Sequence, residues 1–265
     1  MPSKGDIVVK ENKVWASWAA DLFSKRARDC ARNRAAFALA ISGGATPRPV
    51  HRLLAQEPYR SEIPWASAHL FWVDDRCVPE TSPASNFGTA KEDLLDHIPM
   101  PPSQIHPMPT EVPPADGARK YEEALRAFFA AEPFPAFDLI LLGIGQDGHT
   151  ASLFPEQRAL DERRRWVVAV KGGNPNVSRL TMTFPVLNSA REIVFLVSGK
   201  EKAAVTKAMF DEGGTLLPAQ RIQPTNGRVT WLMDRQAASL LSEEVTGDRS
   251  SEPEFMPKER IHGKP

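Results

Sequence analysis

A histidine that follows a glycine-rich turn is the residue in this sequence best suited to do chemistry. In residues 138–155, DLILLGIGQDGHTASLFP, an apolar run leads into Gly143, Gly145 and Gly148, and His149 comes next. Glycine adopts backbone conformations closed to other residues, so the chain can turn sharply at this point. A histidine side chain has an unperturbed pKa of about 6.5 and can accept a proton near neutral pH. We therefore predict a general base at His149, presented at the end of a strand.

The same segment contains GIGQDG, which matches the G-x-G-x-x-G fingerprint of dinucleotide-binding proteins. That fingerprint requires a long helix beginning in the motif and an acidic residue at the end of the next strand. Here Pro155 ends the helical stretch after Phe154, and the next predicted strand leads to Lys171. The sequence therefore disfavours a dinucleotide. A purely structural turn would explain the glycines but not Asp147 and His149.

A second strand end, SGGATP at residues 42–47, is suited to binding an anion. Gly43 and Gly44 precede Thr46, a predicted N-cap, and Pro47 suits the first position of a helix. Exposed N–H groups at a helix N-terminus attract phosphate or a developing oxyanion, and Arg48 adds positive charge. A capped helix without a ligand fits these residues equally well.

A third strand end carries Asp74, Asp75 and Arg76 within FWVDDRCVPETSPASN. An arginine can bind phosphate or carboxylate through two hydrogen bonds, and an aspartate can orient a sugar hydroxyl or a histidine. The alternative is a structural ion pair that uses one of the two aspartates. Ser85 and Asn86 are predicted only to cap the next helix.

Two further cations fall at element ends. Arg179 precedes a predicted strand, and Lys202 lies in the first turn of a helix that Ser198 and Gly199 open. A cation there opposes the helix dipole, so a bound anion would explain it. A solvated surface lysine is the alternative for Lys202.

Short β-rich runs alternate with helical patterns, which predicts a single-domain, Rossmann-like α/β fold with an open, largely parallel sheet and helices on both faces. The predicted strands are Ile7–Val9, Ala36–Ile41, His69–Val73, Asp138–Leu142, Trp166–Val170, Leu180–Thr183, Ile193–Val197 and Val229–Leu232. The predicted helices are Lys13–Asn33, Ser85–Asp96, Asp116–Ala131, Lys200–Asp211 and Asp234–Glu243. Pro99–Pro114 is predicted as a loop. The domain is expected to span residues 1–246, with a loose polar tail over 247–265.

Composition narrows the class of protein. The 265 residues carry 33 basic and 33 acidic side chains, so no overall charge favours nucleic acid or an anionic membrane. Two cysteines are too few for a disulfide framework, and no apolar run suits a signal peptide or a membrane span. Motifs for a zinc hydrolase, a serine nucleophile and a Walker loop are absent. We expect a cytoplasmic monomer that binds neither nucleic acid nor membrane.

Five segments together resemble the 6-phosphogluconolactonase family, over roughly residues 5 to 243. In chain order they are SGGATP, DDRCVPETSPASN, LLGIGQDGHTASLFP, RLTMTFPVLNSAR and SGKEKAAV. The resemblance implies hydrolysis of 6-phospho-D-glucono-1,5-lactone, a phosphorylated sugar lactone, without metal or organic cofactor. It places the catalytic histidine at His149 and cationic substrate ligands at Arg76 and Lys202. This chain departs from the family in having Asp75 where glutamate is usual.

Lactone hydrolysis requires a base for water, donors for the oxyanion and a cationic seat for phosphate. We assign the base to His149 and give Asp74 the role of orienting substrate or base. The candidate substrate-binding residues are Gly43, Gly44, Thr46, Asp75, Arg76, Gly145, Asp147, Gly148, Arg179 and Lys202.

Two other functions stay open at this point. Glucosamine-6-phosphate deaminases have a similar fold and glycine turn but resemble Asn-Glu-Pro after it, whereas this chain has Ser152, Leu153 and Phe154 before Pro155. The absence of that acid favours the lactonase. A non-catalytic sugar-phosphate sensor on the same fold is the second alternative, because of the departure at Asp75.

Overall fold

The computed structural model describes residues 5–34, 36–130, 133–210 and 216–246, and its centre is a seven-stranded sheet. The strands of this sheet are β1 (Asp6–Lys10), β2 (Phe37–Ile41), β3 (Ala68–Trp72), β5 (Ile105–His106), β6 (Leu139–Leu142), β9 (Glu192–Val197) and β10 (Arg228–Asp234). Their spatial order is β1, β10, β9, β6, β2, β3, β5, and every neighbouring pair is parallel. All residues of β2, β6 and β9 are buried, as expected for parallel strands that are covered on both faces. The predicted Rossmann-like α/β fold is confirmed.

A second sheet is antiparallel and shares no strand with the parallel sheet. It consists of β4 (Asp74–Arg76), β8 (Val177–Met182) and β7 (Val167–Gly172), in that order. The sequence analysis did not separate these strands from the parallel sheet. Only residues 173–176 connect β7 to β8, and so short a connection suits an antiparallel hairpin, because parallel neighbours need a long crossover.

Eight helices accompany the strands in the described part of the chain. They are α1 (Asn12–Asn33), α2 (Arg48–Leu54), α3 (Tyr59–Glu62), α4 (Asn86–Asp93), α5 (Pro114–Phe129), α6 (Phe184–Leu187), α7 (Ala203–Phe210) and α8 (Glu243–Thr246). Helix α1 packs on the sheet because its buried residues recur at helical spacing, and Trp15 Nε1 donates to the Leu232 carbonyl at 3.1 Å. No helix among these combines the length and apolar character that crossing a bilayer needs.

Several predicted elements differ from the observed ones. The predicted helix Asp234–Glu243 is wrong, because residues 235–240 form turns in which the Asp234 carboxylate accepts from the Ala237 N–H at 2.7 Å. The predicted loop Pro99–Pro114 contains β5, which pairs with β3. The helix predicted from Lys200 starts with a 3₁₀ turn, Lys200–Lys202, before α7. The predicted helix ends at Ala131 and Asp211 and the tail 247–265 lie outside the described residues, so the domain boundary stays a prediction.

One buried histidine in α2 has no hydrogen-bond partner among the described residues. His51 is 3% exposed, and neither ring nitrogen is bonded. Burial lowers the pKa of His51 to about 4, outweighing the nearby Asp93 charge that raises it. Because the unfolded chain takes up this proton and the folded one resists it, the contribution of His51 to stability falls as pH drops from about 6.5 to about 4.

We expect the His51→Leu variant to lose less stability at acidic pH than the wild-type protein does. Wild type should lose about 2 to 3 kcal/mol more than this variant in the free energy of unfolding between pH 7 and pH 4.5. Urea unfolding at the two pH values measures the difference. His97→Leu, at an exposed position, is the matched control and should behave as wild type. An equal loss in His51→Leu and wild type would contradict the prediction.

Candidate active site

The candidate site lies at one edge of the parallel sheet, where the carboxyl ends of its strands meet. Strands β2 and β6 are neighbours near the centre of the sheet. After β2, the strands β3 and β5 are added on one side, and after β6, the strands β9 and β10 are added on the other. Ligands of open α/β sheets bind in the crevice at such a reversal of strand order. The glycine-rich segments after β2 and β6 both start at this crevice.

The loop after β6 is a tight turn that its glycines make possible. The Gly145 N–H donates to the His149 carbonyl at 2.8 Å, and the Gly148 N–H donates to the Gly145 carbonyl at 3.0 Å. A Cβ on Gly145 would lie 2.1 Å from His149 Nδ1, so only glycine leaves room for the ring. Gly148 has φ +79° and packs against the Leu217 side chain. The turn therefore fixes where the His149 ring stands.

Asp147 holds the His149 ring by one nitrogen. Its Oδ1 lies 2.5 Å from His149 Nδ1 and also accepts from the His149 N–H at 3.1 Å. Burial raises the pKa of Asp147, but the hydrogen bonds and charge of His149 outweigh it and leave that pKa below its ordinary value. A carboxylate only accepts, so in the neutral imidazole Nδ1 carries the hydrogen and Nε2 keeps its lone pair. His149 is 28% exposed and can act as a base through Nε2.

Two arginines stand opposite one another in the antiparallel sheet. Arg76 on β4 is the register partner of Arg179 on β8. Arg179 donates to the carbonyls of Gly172 and Pro175 at 2.8 and 3.1 Å, and burial together with the Arg76 charge lowers its pKa. Arg76 Nη1 donates to the Ala84 carbonyl at 3.1 Å, whereas its Nε is buried without a partner in the described residues.

The arginine pair has no carboxylate counter-ion within the described ranges, and neither does Lys202. Burying cations unpaired is costly, and like charges opposite one another on neighbouring strands repel. The arrangement is therefore suited to an anionic ligand. Such a ligand would satisfy both guanidinium groups.

Two side chains connect the cations to the His149 loop. The Phe154 ring lies 4.6 Å from the His149 ring, and the Arg179 guanidinium lies 5.4 Å from the same Phe154 ring. Lys202 Nζ donates to the Ile144 carbonyl at 2.8 Å, which attaches the turn after β9 to the loop after β6. The structure thus brings His149, Arg179 and Lys202 to one region.

The loop after β2 contributes backbone rather than charge. A Cβ on Gly43 would lie 1.9 Å from Asn86 Oδ1, and Gly44 has φ +89° with open space beside it. The prediction that Thr46 caps α2 is wrong. The Arg48 N–H donates to the Ala45 carbonyl at 3.3 Å, and this turn delays the helix so that Pro47 is its N-cap.

Arg48, expected to add charge near an anion, is instead committed to other residues. It forms ion pairs with Asp93, through its Nε, and with Glu92 at 3.1 Å. These pairs join α2 to α4. The charge of Arg48 is therefore neutralised within the protein.

The family model described as glucosamine-6-phosphate isomerases/6-phosphogluconolactonase matches residues 10–231, most of the chain.

The chain belongs to this family.

A 6-phosphogluconolactonase of Synechocystis sp. is 44% identical over 209 residues, which cover 77% of this chain and 84% of that protein. The crystal structure of 6-phosphogluconolactonase from Thermotoga maritima is 29% identical with a TM-score of 0.76, covering 86% of this chain and 99% of that one. A monomeric glucosamine-6-phosphate deaminase has a TM-score of 0.74 at 21% identity, covering 89% of this chain and 99% of that one. At that identity the likeness concerns the fold alone.

Asp75, the departure from the family's usual glutamate, is 1% exposed and bonded to backbone. Its Oδ1 accepts from the N–H groups of Arg76 and Asn86, both at 2.7 Å, and its Oδ2 accepts from Phe87 at 2.9 Å. Burial raises the pKa of Asp75 to about 6, against the lowering effect of these three bonds. The carboxylate thereby fixes the start of α4 beside Arg76, and its predicted contact with substrate stays a prediction.

Asp74 does not contact His149 in this structure; among the described residues Asp147 makes that contact. Asp74 Oδ2 instead accepts from the buried Ser152 hydroxyl at 2.6 Å. The sequence analysis missed this role of Ser152, the contact of Phe154 with His149, and the part that Asn86 plays next to Arg76. Ser152 and Phe154 lie three and five residues after His149, and Asn86 lies ten residues after Arg76, so closeness in sequence was an available signal only for the first two. No three histidine, cysteine or acidic side chains cluster as metal ligands in the described residues.

We expect Asp75→Asn to destabilise the protein by about 1 to 3 kcal/mol at pH 8, because the amide NH₂ would face a backbone N–H donor. Urea unfolding measures the change. Asp161→Asn is the control, since that side chain is 82% exposed, and should stay within about 0.5 kcal/mol of wild type. Unchanged stability of Asp75→Asn would show that the carboxylate does not organise the start of α4.

Proposed function

We propose that the protein hydrolyses 6-phospho-D-glucono-1,5-lactone to 6-phospho-D-gluconate, a reaction of the oxidative pentose phosphate pathway. Membership of the family and the names of its relatives support this activity. The proposal rests on one observation: His149, the candidate general base, lies near cationic side chains that could bind a phosphate. The Phe154 ring lies 4.6 Å from the ring of His149, which Asp147 holds, and 5.4 Å from the Arg179 guanidinium. Arg76, the register partner of Arg179, forms no ion pair with a carboxylate in the described residues either.

In the proposed reaction, His149 Nε2 removes a proton from water as the water oxygen bonds to the lactone carbonyl carbon. Asp147 stabilises the imidazolium that results, because it already holds Nδ1–H at 2.5 Å. The carbonyl oxygen becomes an oxyanion. We assign its stabilisation to backbone N–H groups of the Gly43–Gly44 turn or of the glycine loop after β6. The ring C–O bond then breaks, and the proton on His149 passes to the departing hydroxyl oxygen.

The 6-phosphate is assigned to Arg76, Arg179 and Lys202. Arg76 and Arg179 are held by neutral acceptors rather than by carboxylates, so their charge is available. Lys202 reaches the same region from β9. Thr46, Gly145, Gly148, Asp74 and Asp75 stay predictions as direct substrate contacts, and we propose that the protein acts as a cytoplasmic monomer.

A glucosamine-6-phosphate deaminase is the nearest alternative, because the fold alone does not distinguish it. The residues after His149 argue against it. Ser152 is buried and bonded to Asp74, Leu153 is buried, and Phe154 faces the His149 ring. This segment presents no acid for ring opening.

The activity is tested with freshly generated lactone against a blank without protein. Hydrolysis faster than the spontaneous rate supports the proposal. Release of ammonia from glucosamine 6-phosphate would favour the deaminase. Binding of 6-phosphogluconate with lactone decay at the spontaneous rate would indicate a sensor.

We expect His149→Asn to lose turnover by about 10²- to 10⁴-fold, because water loses its base. Binding of 6-phosphogluconate should persist, since the phosphate ligands are untouched. Steady-state kinetics and calorimetric titration measure the two quantities. Near-normal turnover in this variant would refute the base assignment.

We expect Gly145→Ala to lower kcat by about 10²-fold, because the added Cβ would displace the His149 ring. Gly143→Ala is the matched control in the same loop. A Cβ on Gly143 meets nothing within 4 Å, so kcat should stay close to that of wild type. Equal kcat values for the two variants would contradict the steric argument.

A further inference from the structure

Asp74 and Arg76 carry opposite charges on the same face of β4, yet they form no ion pair in the described structure. Residues two apart on a strand point to the same side, so the two side chains start as neighbours. Both are largely withdrawn from water, where an ion pair would be favourable. Asp74 Oδ2 instead accepts from the Ser152 hydroxyl at 2.6 Å, which leaves Oδ1 as the carboxylate oxygen on the side of Asn86.

The Asn86 amide bonds to both of them. Its Nδ2 donates to the Asp74 carbonyl at 2.8 Å and to Asp74 Oδ1 at 3.4 Å. Its Oδ1 accepts from Arg76 Nη1. A neutral amide can donate to a carboxylate and accept from a guanidinium at the same time without neutralising either. Asn86 therefore bridges Asp74 and Arg76, which do not bond to each other directly in the described structure.

We propose that Asn86 is a positioning residue that separates Asp74 from Arg76 and so keeps the Arg76 charge available for the substrate phosphate. This inference rests on the proposed function, because it requires Arg76 to bind phosphate. It also assigns Asn86 a role beyond the start of α4, where Ser85 is the N-cap and accepts from the Gly88 N–H at 3.0 Å.

The surroundings of Asn86 fix its amide in this position. Asn86 is 3% exposed, and its backbone N–H donates to Asp75 Oδ1 at 2.7 Å. The loop after β2 closes over Oδ1 at Gly43, where any Cβ would collide with it. The amide thus has no room to turn away from its two partners.

The charge balance agrees with this role. Arg76 is held by two neutral acceptors, the Ala84 carbonyl and the Asn86 amide, and it faces Arg179 across the small sheet. If Asp74 paired with Arg76, one of the two opposed cations would be neutralised and the attraction for phosphate would fall. With the Asn86 amide as its partner, Arg76 forms no ion pair with a carboxylate in the described residues.

The test compares Asn86→Ala with Asn86→Ala/Asp74→Asn. In the first variant Arg76 can collapse onto Asp74, and the affinity for 6-phosphogluconate and for inorganic phosphate should fall at least 10-fold, with KM raised more than kcat is lowered. In the double variant Asp74 has no charge, so both affinities should return to within about 3-fold of those of Asp74→Asn alone. Titration calorimetry on each folded protein measures them.

Asn86→Asp is the isosteric second variant, in case Asn86→Ala folds poorly. Its carboxylate would pair with Arg76 directly, so phosphate affinity should fall by a similar factor, and Asp74→Asn should not restore it. Unchanged affinity in either folded variant, or a loss of affinity in Asn86→Ala that Asp74→Asn does not rescue, would overturn the inference.

The wild-type protein separates this inference from the proposed function. If wild type neither hydrolyses the lactone nor binds 6-phosphogluconate, the proposed function fails. If wild type does both and Asn86→Ala binds 6-phosphogluconate and phosphate as tightly as wild type, the role of Asn86 alone fails.

Discussion

The parallel pairing of β2 with β6 is the constraint on which the arrangement of the site depends. Ser42, directly after β2, donates its N–H to the Leu141 carbonyl at 3.0 Å and its hydroxyl to the same carbonyl at 3.1 Å. The two glycine-rich loops therefore leave the sheet side by side. Since neighbouring β3 and β9 are also parallel to this pair, their carboxyl ends open onto the same edge. The β2–β6 pairing therefore places the glycine loop after β2, His149 after β6 and Lys202 after β9 at the same end of the sheet.

The small antiparallel sheet adds two arginines that form no ion pair with a carboxylate in the described residues. Its register sets Arg76 against Arg179, and the carbonyls around β7 and β8 hold Arg179 without neutralising it. The parallel sheet thus positions His149, and the antiparallel sheet positions Arg179. The Phe154 ring contacts both side chains. The repulsion between the arginines is a cost to the unliganded protein that an anion would relieve.

The sequence predicted those parts of the structure that depend on local pattern. The apolar run before Gly143 and the glycine spacing up to His149 indicated a strand and a turn, and both were found. The small sheet was not predicted as separate from the parallel sheet. The apolar pattern of β7 indicates which of its side chains are buried, but it does not indicate which strand β7 pairs with. Turns replace the helix expected from Asp234, and the carboxylate of this residue also accepts from the distant Ser198 hydroxyl at 2.6 Å, a contact that local pattern does not indicate. Asn86 was taken only for a cap because its partners lie ten and twelve residues away.

The neutral partners of Arg76 have a kinetic consequence. A guanidinium locked in an ion pair must first break that pair before it can accept a new anion, and the breaking adds a barrier to association. If Arg76 binds the substrate phosphate as proposed, the phosphate has to displace only a carbonyl and an amide, and no carboxylate has to leave. Substrate capture would then require no breaking of an ion pair inside the protein.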